Sequence, residues 1–315
     1  MTRIVTVTLN PALDLSTSTP RVEPGRKLRC APARMDPGGG GINVSRAIAR
    51  MGGASVALAA MGGGVGRDLR ALLEAEGIET HGLGVRRPTR QSLAVTEEET
   101  GAQFRFVLPG PSWSAEDCEA AARRIARAVG AGDLAVLSGS QPPGVPAGFA
   151  PDLADRLAAK GARLALDTSG APLRAAAAHR GAPFELLRMD SVEAAELAGR
   201  PVDRPAEAAA LAARLVAEGA ARMAVVAMGA RGSALACADG RWMCAPPPVK
   251  VVSAVGAGDS FVAAFVLTLA RGGSALEACR MGVAAAAAAV QTPATELCEG
   301  DEVLRLAPLV TCEAL

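Results

Sequence analysis

The sequence predicts an α/β fold: a mostly parallel sheet covered by helices on both faces, with a small second β-sheet beside it. Short apolar runs alternate with amphipathic or Ala-rich stretches along most of the chain, the pattern of a parallel sheet with crossover helices. Two segments, 13–34 and 88–108, break that alternation and resemble β-hairpins instead. Hydrophobic residues make up 50% of the chain but aromatics only 3%, so Ala, Val and Leu must fill the core.

The first expected strand, 3–9, ends at Asn10-Pro11, and others follow at 55–60, 133–137, 163–167 and 223–227. Helices are expected at 43–51, 66–76, 115–129, 147–159 and 205–218, and two Ala-rich ones at about 258–271 and 274–290. In the segment 88–108, Leu93 and Val95 alternate with polar neighbours, a turn falls at Glu99-Thr100-Gly101, and Phe104 and Val107 continue beyond it. Neither hairpin segment is long enough to fold alone. They are expected to meet as a small sheet over one edge of the main one, serving as a lid or pairing with another subunit.

Lys plus Arg number 33 and Asp plus Glu 32, a net charge of +1. That balance argues against a protein that wraps nucleic acid, which needs a large cationic excess. The seven cysteines are scattered without a CxxC pair, and with only two histidines there is no zinc-ligand set. They are expected to be buried, reduced thiols. No signal peptide precedes the first strand, and the apolar run 261–270 is about half a membrane span, so a cytoplasmic protein without membrane contact is expected.

Two glycine-rich turns carry the candidate chemistry. Val255-Gly256-Ala257-Gly258-Asp259-Ser260 enters a helix, where outward-facing amides at a positive helix end suit a transferring phosphoryl group. A carboxylate there, Asp259, can accept a hydroxyl proton while those amides stabilise charge on the phosphoryl oxygens. The plainer alternative is an acid that merely favours a first helical turn. The other turn is Pro37-Gly38-Gly39-Gly40-Gly41-Ile42-Asn43. Its glycines allow close backbone approach, and Asn43 can donate to and accept from sugar hydroxyls. A flexible turn with Asn43 near the helix start explains it as well.

Other nucleotide signatures are missing: there is no GxxxxGK followed by Ser or Thr, no GxGxxG and no GxSxG. Lys27, Arg90 and Arg105 lie in the hairpin segments, where cations bind anionic groups or simply guard edge strands.

Together these stretches resemble the ribokinase-like PfkB family of sugar kinases, and most closely its ATP-dependent 6-phosphofructokinase branch. The resemblance runs from Thr6-Val-Thr-Leu-Asn-Pro-Ala-Leu-Asp14 to about Cys298. It passes through Lys27-Leu-Arg-Cys30, the glycine run to Asn43, Thr89-Arg-Gln91 and Phe104-Arg-Phe-Val-Leu-Pro-Gly110. Ser138-Gly-Ser-Gln-Pro-Pro-Gly144, Pro246-Pro-Pro-Val-Lys250 and Val255-Gly-Ala-Gly-Asp-Ser260 complete it. Kinases for fructose 1-phosphate and tagatose 6-phosphate share much of this pattern.

The resemblance implies one three-layer αβα kinase domain over 1–315, with a β-sheet lid at about 13–34 and 88–108 that often clasps a dimer. It implies phosphoryl transfer from ATP, with Mg²⁺, to a ketohexose phosphate, most closely fructose 6-phosphate. Asp14, Gly39, Asn43 and Ser140 match sugar contacts, and Lys27, Arg90 and Arg105 match cations near the sugar phosphate. Asp259 matches the catalytic base, and Gly256, Ala257 and Gly258 the anion hole. Gly229 and Gly232 match a loop near ATP. Three departures fall on the nucleotide and cation side. The family's Lys-Pro-Asn reads Arg188-Met189-Asp190, with Glu193 kept as the expected metal-side acid. Its Ser-Leu-Gly reads Ala227-Met228-Gly229, and its later Asn and Gly read Thr292 and Ala294. That erosion admits a second reading, a sugar-phosphate-binding protein with weak or no turnover.

Overall fold

The computed structural model describes residues 2–293 and 296–315, so Ala294 lies outside the described residues. The first strand, β1 (Ile4–Thr8), is buried throughout; Val5 and Val7 enter one hydrophobic layer and Ile4 the other. That two-sided burial explains its apolar run and marks a strand covered by helices on both faces.

The chain then leaves the main sheet for β2 (Ala12–Thr19) and β3 (Arg34–Gly38), and returns through α1 (Gly40–Arg50), β4 (Val56–Ala59), α2 (Gly63–Ala75) and β5 (Glu79–Gly82). After a second excursion, β6 (Arg90–Glu97) and β7 (Gln103–Val107), come α3 (Ala115–Ala128), β8 (Leu134–Ser138), α4 (Phe149–Ala158) and β9 (Arg163–Asp167). There follow α5 (Gly170–Ala178), β10 (Phe184–Asp190), α6 (Ser191–Ala198), α7 (Pro205–Ala217) and β11 (Ala221–Ala227). The last part holds β12 (Ser233–Cys237), β13 (Gly240–Ala245), α8 (Ala257–Ala270), α9 (Ala275–Ala289), α10 (Gly300–Leu306) and β14 (Thr311–Ala314).

The large sheet has the order β14-β13-β12-β11-β10-β9-β8-β1-β4-β5. From β5 to β11 every pairing is parallel, whereas β12, β13 and β14 add antiparallel strands at one edge. Side chains of α3, α4 and α7 pack on one face, among them Ile125, Leu153 and Leu215. On the other, α1, α8 and α9 supply Ile48, Phe261, Phe265 and Val283. Phe261 and Phe265 stack with ring centroids 5.8 Å apart in a layer whose other buried side chains are aliphatic or sulfur-bearing.

The expected strands and helices all appear, with ends shifted by a few residues. The hairpin segments also meet as expected, in a four-stranded sheet of order β3-β2-β6-β7. The first differs in detail. Its strands are joined by the long connection 20–33, and β2 runs parallel to β6, with Asp14 opposite both Asp36 and Ser92. The cysteine expectation needs correction: Cys118, Cys244, Cys279 and Cys298 are buried free thiols, but Cys237 and Cys312 are partly exposed and Cys30 is exposed.

The sheet order places the functional crevice. The chain builds outward from β1 to β4 and β5, then restarts at β8 on the other side of β1 and builds outward again. Neighbouring connections therefore diverge at the carboxyl ends of β1 and β8, where open α/β sheets bind ligands.

Candidate active site

Side chains from far-apart segments converge at that switch point. Gly256 turns the chain into α8 with φ 78°, and a Cβ there would lie 2.7 Å from Leu297 Cδ2, so glycine satisfies both the left-handed backbone and the space. Ala257, Gly258 and Asp259 form the first turn of α8, whose leading amides have no intrahelical acceptors. Gly258 lets the guanidinium of Arg188 come close: an added Cβ would sit 3.1 Å from its Nη1.

Asn43 Nδ2 donates to Asp259 Oδ2 across 2.9 Å, joining α1 to α8. Asp259 retains partial exposure, yet loss of water around its carboxyl and then the charge of Asp167 push it up to about 7. Asn43, Arg188 and Ser138 pull the other way. The result is a carboxyl balanced near neutrality beside helix-end amides, suited to taking a proton from an alcohol.

Behind it lies an ion pair that the sequence reading missed. Arg188 Nη1, on β10, meets Asp167 Oδ1 at 3.2 Å at the end of β9, and Ser138 Oγ donates to Asp167 Oδ2 at 3.3 Å. Burial works against the Arg188 charge, but Asp167, Glu193 and Asp190 outweigh it and hold the guanidinium more firmly protonated than usual. A signal was available: Asp167 closes an apolar run, which puts an acid at the carboxyl end of a parallel strand.

On the side of the small sheet, Asp14 is raised above the ordinary carboxylate range by burial, against the pull of Arg90, Ser92 and Arg105. Arg90 donates to the main-chain carbonyls of Asn10 and Leu108 and to Ser92 Oγ. Gly39 caps α1, and Ser140 Oγ accepts from Asn10 Nδ2 at 3.2 Å. Asn10 thus ties Ser140 to Arg90, and the charge of Arg90 reaches Asp14. Arg105 is exposed on β7 opposite Ala94, and Lys27 is exposed on the 20–33 connection.

The nucleotide-side candidates also gather at strand ends. Asp190 lies beside Ala227 in the β10–β11 register, with Gly229 and Gly232 bounding the tight turn before β12. Asp190 has a structural task. Its Oδ1 accepts from the amides of Val192 and Glu193, and Glu193 Oε2 accepts from the Asp190 amide at 2.8 Å, a reciprocal cap on α6. Thr292 Oγ1 lies 2.8 Å from the carbonyl of Ala289 and 2.9 Å from that of Glu296, and its one proton serves either. Among the described residues no three His, Cys, Asp or Glu side chains form a ready-made metal cage. Burial, and after it Asp190 and Asp167, lift the Glu193 carboxyl above its usual range, against the Asp190 amide and Arg188.

The chain is 40% identical over 303 residues to the ATP-dependent 6-phosphofructokinase isozyme 2 of Mycobacterium tuberculosis, covering 96% of this chain and 88% of that one. It is 35% identical over 278 residues to the 1-phosphofructokinase of Xanthomonas campestris, covering 87% and 86%. Phosphofructokinase-2 from Escherichia coli in complex with fructose-6-phosphate superposes with a TM-score of 0.90 at 36% identity, covering 98% of this chain and 99% of that one. A tetrameric inhibited form of the same enzyme gives 0.91 at 37% identity with the same coverage. The family model described as pfkB family carbohydrate kinase matches residues 1–301. With that match over nearly its whole length and relatives up to 40% identical across 96% of it, the chain belongs to the pfkB family of carbohydrate kinases.

Proposed function

We propose that the protein transfers the γ-phosphoryl group of ATP to the 1-hydroxyl of fructose 6-phosphate. The observation that carries this reading is the Asn43–Asp259 contact of 2.9 Å at the start of α8, which holds in place a carboxyl that burial pushes up to about 7. Asp259 accepts the proton of the attacking hydroxyl as the new P–O bond forms. The amides of residues 256–259 stabilise charge on the transferring group. Asn43 holds the base in place and, with Asp14, Gly39 and Ser140, binds sugar hydroxyls. Arg90, Arg105 and Lys27 provide cations for the phosphate already on the sugar.

Arg188, Asp190, Ala227, Gly229 and Gly232 form the nucleotide end. Crowded carboxyl oxygens suit a hard cation, and Mg²⁺ in such sites arrives with the nucleotide and uses one or two carboxylates. Glu193 would contribute to holding it, and Mg²⁺ would neutralise phosphate charge. The lid also exposes Met35 and Phe106 on one face, in register across Leu15 and Leu93, each at least half exposed. We assign that apolar face to a second copy of this chain, consistent with the tetrameric form of the Escherichia coli relative.

ADP release, measured by a coupled assay on fructose 6-phosphate, fructose 1-phosphate, tagatose 6-phosphate and free fructose, tests the reading. Preference for fructose 6-phosphate supports it. Preference for fructose 1-phosphate would move the assignment to the activity named for the Xanthomonas relative, and turnover of none would leave a binding protein.

A further inference from the structure

Buried polar atoms without partners concentrate at one corner of the crevice. Among the described residues they are Thr8 Oγ1, Asn10 Oδ1, both amide atoms of Gln141, Glu185 Oε2 and Arg188 Nε. Glu185 Oε2 at least faces Arg222 at 3.6 Å, and Arg188 belongs to the nucleotide end. The remaining four atoms lie on three residues where β1 and β8 end, next to Ser140. Buried groups left unpaired are rare and need a reason, and a ligand site is a common one.

Asn10 is the residue through which that corner is built. Its Nδ2 donates to Ser140 Oγ at 3.2 Å, and its main-chain carbonyl accepts from Nε and Nη2 of Arg90, each at 3.4 Å. Its Oδ1 lies under Gly110, where any added Cβ would collide with it. Arg90 Nη1 reaches the carbonyl of Leu108 at 3.2 Å, close to the same turn. One side chain and one carbonyl therefore join the loop after β8 to the first residue of β6, and the same side chain lies against the turn between β7 and α3.

We infer that Asn10 is a positioning residue for the phosphosugar, fixing the hydroxyl of Ser140 relative to the guanidinium of Arg90. This deepens the proposed function and rests on it: Ser140 there takes a sugar hydroxyl and Arg90 the sugar phosphate. A rigid spacing between the two measures the length of the substrate, so Asn10 acts on phosphosugar affinity without touching the reacting atoms. Losing the side-chain tie leaves Arg90 on the Asn10 carbonyl but frees Ser140, so the spacing between the two is no longer fixed and the ordering cost is met when substrate binds.

Steady-state kinetics on the full chain test this with wild type, Asn10→Ala, Ser140→Ala and the double variant. Asn10→Ala should raise the KM for fructose 6-phosphate about tenfold, leaving the KM for ATP and kcat within about twofold. The double variant should raise it no more than the stronger single variant, since the two residues act as one unit. Asn10→Asp keeps the shape and guards against a variant that does not fold. It replaces the Nδ2 donor with an acceptor and so turns the Ser140 hydroxyl toward itself, and it too should raise only the sugar KM. An unchanged sugar KM, equal rises in both KM values, or additive effects of Asn10→Ala and Ser140→Ala would overturn the inference. If wild type fails to phosphorylate fructose 6-phosphate, the proposed function falls first, which the wild-type arm alone reveals.

Discussion

Asn43 and Asp259, 216 residues apart, meet at 2.9 Å across the start of two helices that pack on the same face of the sheet. The amide donates to the ionised form of the carboxyl and so lowers a pKa that burial raises. Removing it with Asn43→Ala should shift the acidic limb of the kcat/KM profile to higher pH. A hydrogen bond to a charged group is worth about 1.5–3 kcal/mol, hence roughly one pH unit or more. The profile itself is the check; an unmoved limb means that Asp259 does not govern it.

The same carboxyl links stability to pH. Its folded pKa of about 7 lies above the ordinary value of 3.8, so between those limits the folded state holds a proton that the unfolded chain has released. Its contribution is most favourable below about pH 4 and is lost as pH rises through 7. Asp259→Asn, which cannot ionise, should therefore raise the melting temperature at pH 8 relative to wild type. The gain should vanish near pH 4. Paired melting curves at the two values settle the sign.

Arg188 is the cation set between Asp167 and Asp259. Arg188→Met should leave two carboxyls uncompensated and cost about 3 kcal/mol or more of stability, as breaking buried pairs does. It should also drive the acidic limb of activity to higher pH, because Arg188 favours the ionised forms of its neighbours. Arg188→Lys should recover part of both. Denaturant titration and the pH profile read the two effects separately.

Asp190 offers a cleaner substitution pair. Asn caps a helix as well as Asp does, so Asp190→Asn should keep α6 intact, whereas Asp190→Ala should cost about 1 kcal/mol. Urea midpoints distinguish them. Equal losses in both variants would mean that the charge, not the cap, is what counts.

The sequence carried the fold wherever strands are buried on both faces, as at Ile4–Thr8 and Leu134–Ser138, because those read as apolar runs. It did not disclose β5, whose Glu79-Thr-His-Gly82 is polar and half exposed, nor β14 at the sheet edge. β10 was hidden too, since Glu185 and Arg188 interrupt its apolar run. Of the site, the glycine turns and Asp259 were legible because backbone geometry demands glycine there. The Arg188–Asp167 pair and the Asn10 junction were not, since each is created by tertiary pairing between segments that say nothing of one another locally. Asp190 was legible as a departure from the family's Asn, but its cap on α6 shows only once the amides of Val192 and Glu193 are placed beside it.

Asp259→Asn tests the central claim most directly, with kcat and calorimetric binding of fructose 6-phosphate measured on the same preparation. If Asp259 takes the substrate proton, kcat should fall by about 10²–10⁴ with the sugar phosphate still bound at near wild-type affinity. Turnover within a few-fold of wild type would contradict the account, and the base would have to be sought elsewhere in the crevice.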